Sequence, residues 1–297
     1  MELGTSGVRV SCVGLGCNNF GSRIDLEETK VVVEAALDAG ITFFDTAEVY
    51  GNRGGSERML GEILEGRRDG VVLATKFGWE PGGGRGSTDV ARAAIEGSLE
   101  RLRTEYVDVY YLHKPDPETP IAETLGALAE LVREGKVRAL GCSNFSAEQL
   151  AEANRAADEL GLPRFVAVQN EYSLLQLRDA ADVLPLCRDL DVGYVPYFPL
   201  ASGLLTGKYR RGEDAPEGTR LAGREIADER LARVEALELF AEERGRTILE
   251  LAIGSLVSTP GITSVIAGAT KPEQVRANVA AADFRLGPAD LAELAAV

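Results

Sequence analysis

The sequence predicts a (β/α)₈, or TIM, barrel with a short N-terminal β-hairpin, forming one domain over residues 1–297. Short apolar, β-branched runs alternate with longer segments of helical period along the whole chain, as βα units around a parallel sheet do. The runs number eight, and the 297 residues suit one such barrel, which typically takes about 250. No G-x-G-x-x-G opens a helix, so the dinucleotide-binding open sheet is disfavoured: "GLG" at Gly14 to Gly16 runs into "CNNFG", which is not a helix start.

In chain order the strand candidates are "VGLG" from Val13, "ITFFD" from Ile41, "VVLATK" from Val71 and "VDVYYLH" from Val107. They continue with "VRALGCSN" from Val137, "FVAVQN" from Phe165, "VGYVPY" from Val192 and "TSVIAG" from Thr263. Between the first two, "LEETKVVVEAALDAG" sets Val32, Ala35, Ala36 and Ala39 on one helical face before Gly40 stops it. After the third, Ser87 and Thr88 are candidate N-caps for a helix with Val90, Ala94, Ile95, Leu99 and Leu102 at helical spacing. A stretch without period, about 201–227, follows the seventh strand. Loops that long in a compact domain are usually functional or mobile.

Composition narrows the function. With 47 acidic and 32 basic residues the net charge is −15, which repels nucleic acid and anionic membrane where no basic patch concentrates; "YRRG" at Tyr209 is too short to be one. No apolar run approaches the roughly 18 residues of a membrane span, and the N-terminus reads as neither secretory signal nor lipid anchor, so the expected location is the cytoplasm. The four cysteines have no C-x-x-C spacing, and His113 is the only histidine, so no metal site is expected. The sequence leaves the oligomeric state open, with a monomer favoured.

In a barrel the side chains closing each strand surround one opening, where chemistry is found. Here they are Asp45, Lys76, His113, Ser143 with Asn144, Gln169 with Asn170, and Tyr197. Taken singly, each has a plain structural reading: Asp45 could cap the next helix, Lys76 could be solvated, and Tyr50 could pack at the rim. Taken together, an acid, a base, the lone histidine and a nearby tyrosine brought to one opening point to a proton-transfer site.

The stretches "FFDTAEVYGNRGGSERMLGE", "ATKFG", "YYLHKPD", "LGCSNF", "VQNEYS", "YFPLASGLLTGKY" and "IAGATKPEQVRAN" resemble, in order and over nearly the whole chain, the motifs of the aldo-keto reductases. The resemblance implies a nicotinamide-dependent barrel that reduces a small-molecule carbonyl without metal, with a catalytic tetrad of Asp45, Tyr50, Lys76 and His113. Tyr50 is then the proton donor, Lys76 the cation that lowers its pKa from about 10, Asp45 the partner of Lys76, and His113 a ligand of the substrate oxygen. It also implies Ser143, Asn144 and Gln169 around the carboxamide and Tyr197 stacked on the nicotinamide. Leu200, Gly203, Leu205 and Lys208 fall in the loop over the pyrophosphate, and Gly268, Thr270, Gln274 and Asn278 at the adenosine end.

Many relatives have serine where this chain has Phe198, and arginine for the 2′-phosphate where it has Thr270. Lys271 or Arg276 is the substitute expected for that arginine, and NADPH is the expected cofactor, NADH the lesser alternative. Phe20, Trp79 and Tyr172 are candidates for the substrate pocket. One rival reading is a nicotinamide-binding accessory or redox-sensor subunit like the potassium-channel β subunits, which resemble the same family. Another, a metal-dependent hydrolase on the same barrel, has too few histidines.

Overall fold

A computed structural model describes residues 1–80 and 82–297. Among them are eight strands: β1 (Val13–Gly16), β2 (Phe43–Asp45), β3 (Val72–Phe77), β4 (Val107–Leu112), β5 (Val137–Ser143), β6 (Phe165–Gln169), β7 (Gly193–Tyr194) and β8 (Val265–Gly268). The first six helices follow the first six strands in turn: α1 (Leu26–Asp38), α2 (Tyr50–Ile63), α3 (Thr88–Leu102), α4 (Ile121–Arg133), α5 (Ala147–Leu160) and α6 (Val183–Asp189). Two helices, α7 (Asp228–Glu242) and α8 (Ile248–Ser258), follow β7, and α9 (Pro272–Ala281) and α10 (Pro288–Ala296) follow β8. All neighbouring strands pair in parallel, in the order β7-β6-β5-β4-β3-β2-β1-β8. The ring closes through single parallel bridges, Tyr194 to Ile262 and Tyr197 to Ile266, giving the (β/α)₈ barrel.

The strand and helix periods decide what faces where. Phe43, Ala74, Val109, Tyr111, Ala167, Val195 and Ile266 pack together inside the ring, while Phe44, Leu73, Tyr110 and Leu112, one step out of phase, join the layer beneath the helices. The N-terminal hairpin forms through Leu3 N to Val8 O (2.8 Å) and Val10 N to Met1 O (2.8 Å). It inserts Leu3 and Val10 into the inner cluster, closing the end of the barrel where the strands begin. Gly4 is required there: its φ is +55°, and a Cβ would lie 2.3 Å from Val166 O.

Two local expectations change. β7 is only two residues long, although Val195 N to Val168 O (2.8 Å) and Tyr197 N to Asn170 O (3.0 Å) carry the pairing alongside β6 further, and Ile266 N to Pro196 O (2.9 Å) ties the same stretch to β8. Val90 in the first turn of α3 is 38% exposed, so the buried face of that helix starts at Ala91.

Candidate functional site at the strand C-termini

Two-residue periodicity aims the chemistry inward. Asp45 lies two residues after Phe43, Lys76 two after Ala74, and His113 two after Tyr111, each above an inward-facing residue of its own strand. Lys76 is fully buried, and its Nζ donates to Asp45 Oδ1 and Oδ2, both at 2.7 Å, and to Thr46 O at 2.8 Å. Asp45 therefore caps no helix. It also accepts from Gln169 Nε2 at 2.8 Å, so one carboxylate neutralises the ammonium and orients an amide from the opposite side of the ring.

Tyr50 reaches the same point from the turn after β2. Residues Gly51 to Gly54 are all left-handed, so the chain reverses sharply before the regular part of α2 begins. The Tyr50 ring centre is 5.0 Å from Lys76 Nζ and 5.9 Å from the His113 ring. Burial raises the pKa of the phenol; Lys76 pulls it down and Asp45 pushes it up, and the balance stays above the usual value. The expected lowering by Lys76 does not prevail: in the ligand-free protein desolvation wins, and Tyr50 is protonated at neutral pH. For Lys76, burial favours the neutral amine, but attraction by Asp45 and then Tyr50 overcomes it and the pKa is raised. His113 is held well below its usual value by burial, then by Lys76 and Lys114, so its ring is neutral. Its Nδ1 is buried without a partner. A neutral imidazole carries one N–H, and we assign it to Nε2, where an acceptor can approach from the cavity.

A cavity of about 570 Å³ opens from these residues along the rim. Of the residues expected to touch the cofactor, Ser143, Asn144, Gln169, Tyr197, Leu200, Gly203, Lys208, Gly268, Thr270, Gln274 and Asn278 line it. Hydrogen bonds fix one wall: Tyr197 Oη donates to Asn144 Oδ1 (2.7 Å), Asn144 Nδ2 to His113 O (2.9 Å), and Ser143 Oγ to Gln169 O (2.6 Å). Leu205 and Lys271 do not line it. Leu205 is fully buried in the cluster beneath α7 and α8, and Lys271 is exposed at the start of α9. Arg276 is exposed as well and lies outside the lining.

Of the substrate-pocket candidates, Trp79 lines the cavity and lies 4.6 Å from the His113 ring, with Lys114 Nζ 3.8 Å above its indole. Glu48 Oε1 accepts from Gly78 N at 2.9 Å and so ties the Tyr50 turn to the Trp79 loop. Phe20 and Tyr172 are core residues here, Phe20 fully buried and Tyr172 packed edge-on against Tyr194.

The residues that sequence reasoning passed over come from far along the chain. The long loop after β7 starts with a short 3₁₀ turn at Ala201–Thr206, then returns over the rim to bring Gly218, Thr219 and Arg220 to the cavity. Arg220 Nη2 donates to Asn19 Oδ1 at 2.8 Å, its guanidinium is 5.4 Å from the Phe198 ring, and Arg23 Nη2 bonds Gly218 O at 3.3 Å. Burial, then the neighbouring Arg23, lower the pKa of Arg220. Neither Arg220 nor Lys208 has a carboxylate partner among the described residues. A basic residue within an unperiodic loop of an acidic chain was the available signal.

No group of three or more His, Cys, Asp or Glu among the described residues is placed to hold a metal ion, and no helix among them is long and apolar enough to cross a membrane.

The rim of the parallel barrel thus gathers a buried ammonium–carboxylate pair, a protonated tyrosine and a neutral histidine beside one cavity. The chain belongs to the aldo/keto reductase family, whose model matches residues 12–297. It is 38% identical over 301 residues to a probable voltage-gated potassium channel subunit beta of Oryza sativa subsp. japonica, covering 95% of this chain and 90% of that one. A protein of the same description from Arabidopsis thaliana is also 38% identical, with the same coverage. The L-glyceraldehyde 3-phosphate reductase of Escherichia coli O157:H7 is 35% identical over 297 residues, 94% of this chain and 86% of that one.

Proposed function

We propose that the protein is an NADPH-dependent oxidoreductase that reduces an aldehyde or ketone to an alcohol, with Tyr50 as the proton donor. The observation that carries this reading is the fully buried Lys76 ammonium, held by both oxygens of Asp45 and lying 5.0 Å from the centre of the Tyr50 ring at the cavity wall. A lone buried ammonium is costly. This one is kept charged at the place where a phenolate would form.

Membership of the family brings a nicotinamide cofactor, and the cavity suits one. Gly268 lines it and is exposed, so no side chain stands between its backbone and a ligand. The Tyr197 ring is anchored at the wall by its own hydroxyl, a flat surface for a flat ring. Ser143, Asn144 and Gln169 would take the carboxamide, Leu200, Gly203 and Lys208 the pyrophosphate, and Thr270, Gln274 and Asn278 the adenosine. In a chain of net charge −15, Lys208 and Arg220, without a carboxylate partner among the described residues, supply on the cavity wall the local positive charge that a cofactor phosphate needs. Lys271 and Arg276, the residues expected at a 2′-phosphate, are exposed beside the lining residues Thr270 and Gln274.

Reduced nicotinamide, when bound, supplies hydride. The protein's own groups manage the charge. Negative charge growing on the carbonyl oxygen is met by the Tyr50 hydroxyl and the His113 Nε2–H. The Tyr50 proton passes to that oxygen, and Lys76 stabilises the phenolate left behind. Asp45 keeps Lys76 charged and fixed throughout, and Trp79 walls the substrate side.

The test is a panel of aldehydes and ketones assayed for consumption of NADPH and of NADH. Turnover with NADPH that exceeds turnover with NADH is expected, and absence of any carbonyl-dependent consumption would overturn the reading. Likeness to the two plant channel-subunit proteins favours a second reading, a nicotinamide-binding accessory subunit. Many turnovers per protein molecule with simple aldehydes would count against it.

A further inference from the structure

Beyond Tyr50 and Trp79 the cavity gives way to a second, open groove of about 590 Å³. We propose that this groove is a subsite for a carboxylate or phosphate on the non-reacting end of the substrate, read by Arg53. The inference rests on the carbonyl-reductase reading above.

Continuity is the first support. Asn18, Tyr50 and Trp79 line both spaces, so a substrate with its carbonyl at the Tyr50 hydroxyl extends its far end into the groove. The groove walls are polar: Ser22, Asn52, Arg53 and Glu80.

Backbone strain is the second. Asn52 (φ +58°, ψ +54°) and Arg53 (φ +65°, ψ +73°) sit between two left-handed glycines. Gly51 has a packing reason for its conformation, since a Cβ there would meet Phe20 O at 2.4 Å. Asparagine tolerates the left-handed region, but arginine gains nothing there from local side-chain bonding. The strained turn places Arg53 on the groove, and strain held at a cleft points to function.

The third is what Arg53 touches. Its charge partner is Glu80 at 3.2 Å, and the two side chains are 82% and 61% exposed. Such a pair contributes little, so the guanidinium can exchange Glu80 for an anion of the ligand without stranding a buried charge. In a chain of net charge −15 an anionic substrate needs a local cation at its docking point. A planar guanidinium matches carboxylate and phosphate alike, and Lys114, stacked on the Trp79 indole, adds positive potential on that wall.

The experiment compares matched substrates in the full-length protein: succinic semialdehyde against butanal for the carboxylate, and glyceraldehyde 3-phosphate against glyceraldehyde for the phosphate. The parent is expected to favour the charged member of at least one pair. Arg53→Ala should lower that charged-over-neutral ratio of kcat/KM about tenfold through KM, Arg53→Lys should retain part of it, and Glu80→Gln should raise it. The pair that responds identifies the anion. No preference in the parent, or parallel loss on both members in Arg53→Ala, overturns the subsite.

A second readout is independent of turnover. Trp79 is the only tryptophan of the chain and lines the groove, so its fluorescence reports occupancy. Titration with succinate and with glycerol 3-phosphate should give a saturable change for at least one of them in the parent that weakens about tenfold in Arg53→Ala. If no aldehyde is reduced, the reductase reading fails while this titration still decides the subsite, and a flat titration with both anions overturns it.

Discussion

Asp45 closes β2 and Asp108 lies near the start of β4, and both carboxylates are buried, 3% and 2% exposed. Asp108, at the end of the barrel away from the cavity, accepts from Arg68 Nη2 and Arg138 Nη1, each at 2.8 Å, and from Leu73 N at 2.9 Å. Both guanidiniums lie over the Tyr106 ring, and the Arg138 side chain is 56% exposed. Arg138 thus reaches water while Arg68, with 15% of its side chain exposed, stays largely buried, and the cluster joins β3, β4 and β5. At the other end the Lys76 cation has no access to water and faces Tyr50 instead. The pairs use similar electrostatics. What separates them is where the unbonded side of the cation looks: to solvent at one end, and to an ionisable hydroxyl at the other, where the proposed function puts the chemistry.

That contrast can be broken by mutation. The largest effect is expected from Tyr50→Phe, which should lower kcat by about 10² to 10⁴ while cofactor affinity, followed by fluorescence titration, stays near the parent value. A variant that reduced a good aldehyde at the parent rate would remove Tyr50 from the chemistry. Asp108→Ala should behave in the opposite sense, costing about 3–5 kcal/mol of stability in denaturant unfolding because two cations lose their carboxylate, with kcat little changed. A loss of kcat in a fully stable Asp108→Ala protein would erase the distinction between the two ends. Arg138→Ala, removing the exposed partner, should cost about 1 kcal/mol or less by the same measurement.

The smallest and sharpest effect concerns pH. The folded protein depresses the pKa of His113, so below pH about 6.5 the unfolded chain binds a proton there that the folded chain does not. Stability should therefore fall as pH drops from about 6.5 towards the folded-state value, and His113→Gln should flatten that part of the profile. Because the chain has one histidine, a slope unchanged in the variant would contradict a buried neutral ring.

The parts legible in the sequence follow from local periods. Short apolar, β-branched runs between helical segments named the eight strands, and the residues that close them put Asp45, Lys76 and His113 at one opening. Relations set by chain return were not legible. The bond between Arg220 and Asn19 spans 201 positions, and nothing in "GTRLAGRE" says where that loop lands. Aromatic residues near the rim were ambiguous for another reason: Phe20 and Tyr172 satisfy the core and Trp79 the cavity, and apolar pattern alone treats the three alike. The sign of the Tyr50 shift was also hidden, because it depends on how much desolvation opposes Lys76, a property of the folded surroundings.

The closure of the ring has a consequence for occupancy. Every other neighbouring pair of strands shares a ladder, but the seam between β7 and β8 is closed by isolated bridges, Tyr194 to Ile262 before β8 and Tyr197, beyond β7, to Ile266. Tyr197 stands on one side of that seam and Gly268 on the other, and both line the cavity. A ligand spanning them therefore acts as a missing strand contact, and by mass action its binding free energy is added to the cohesion of the barrel at its thinnest joint. Amide exchange at Tyr194 and Ile266 should be the fastest of the inner ring in the free protein and slow most on saturation, which makes the seam a gauge of how fully the site is filled.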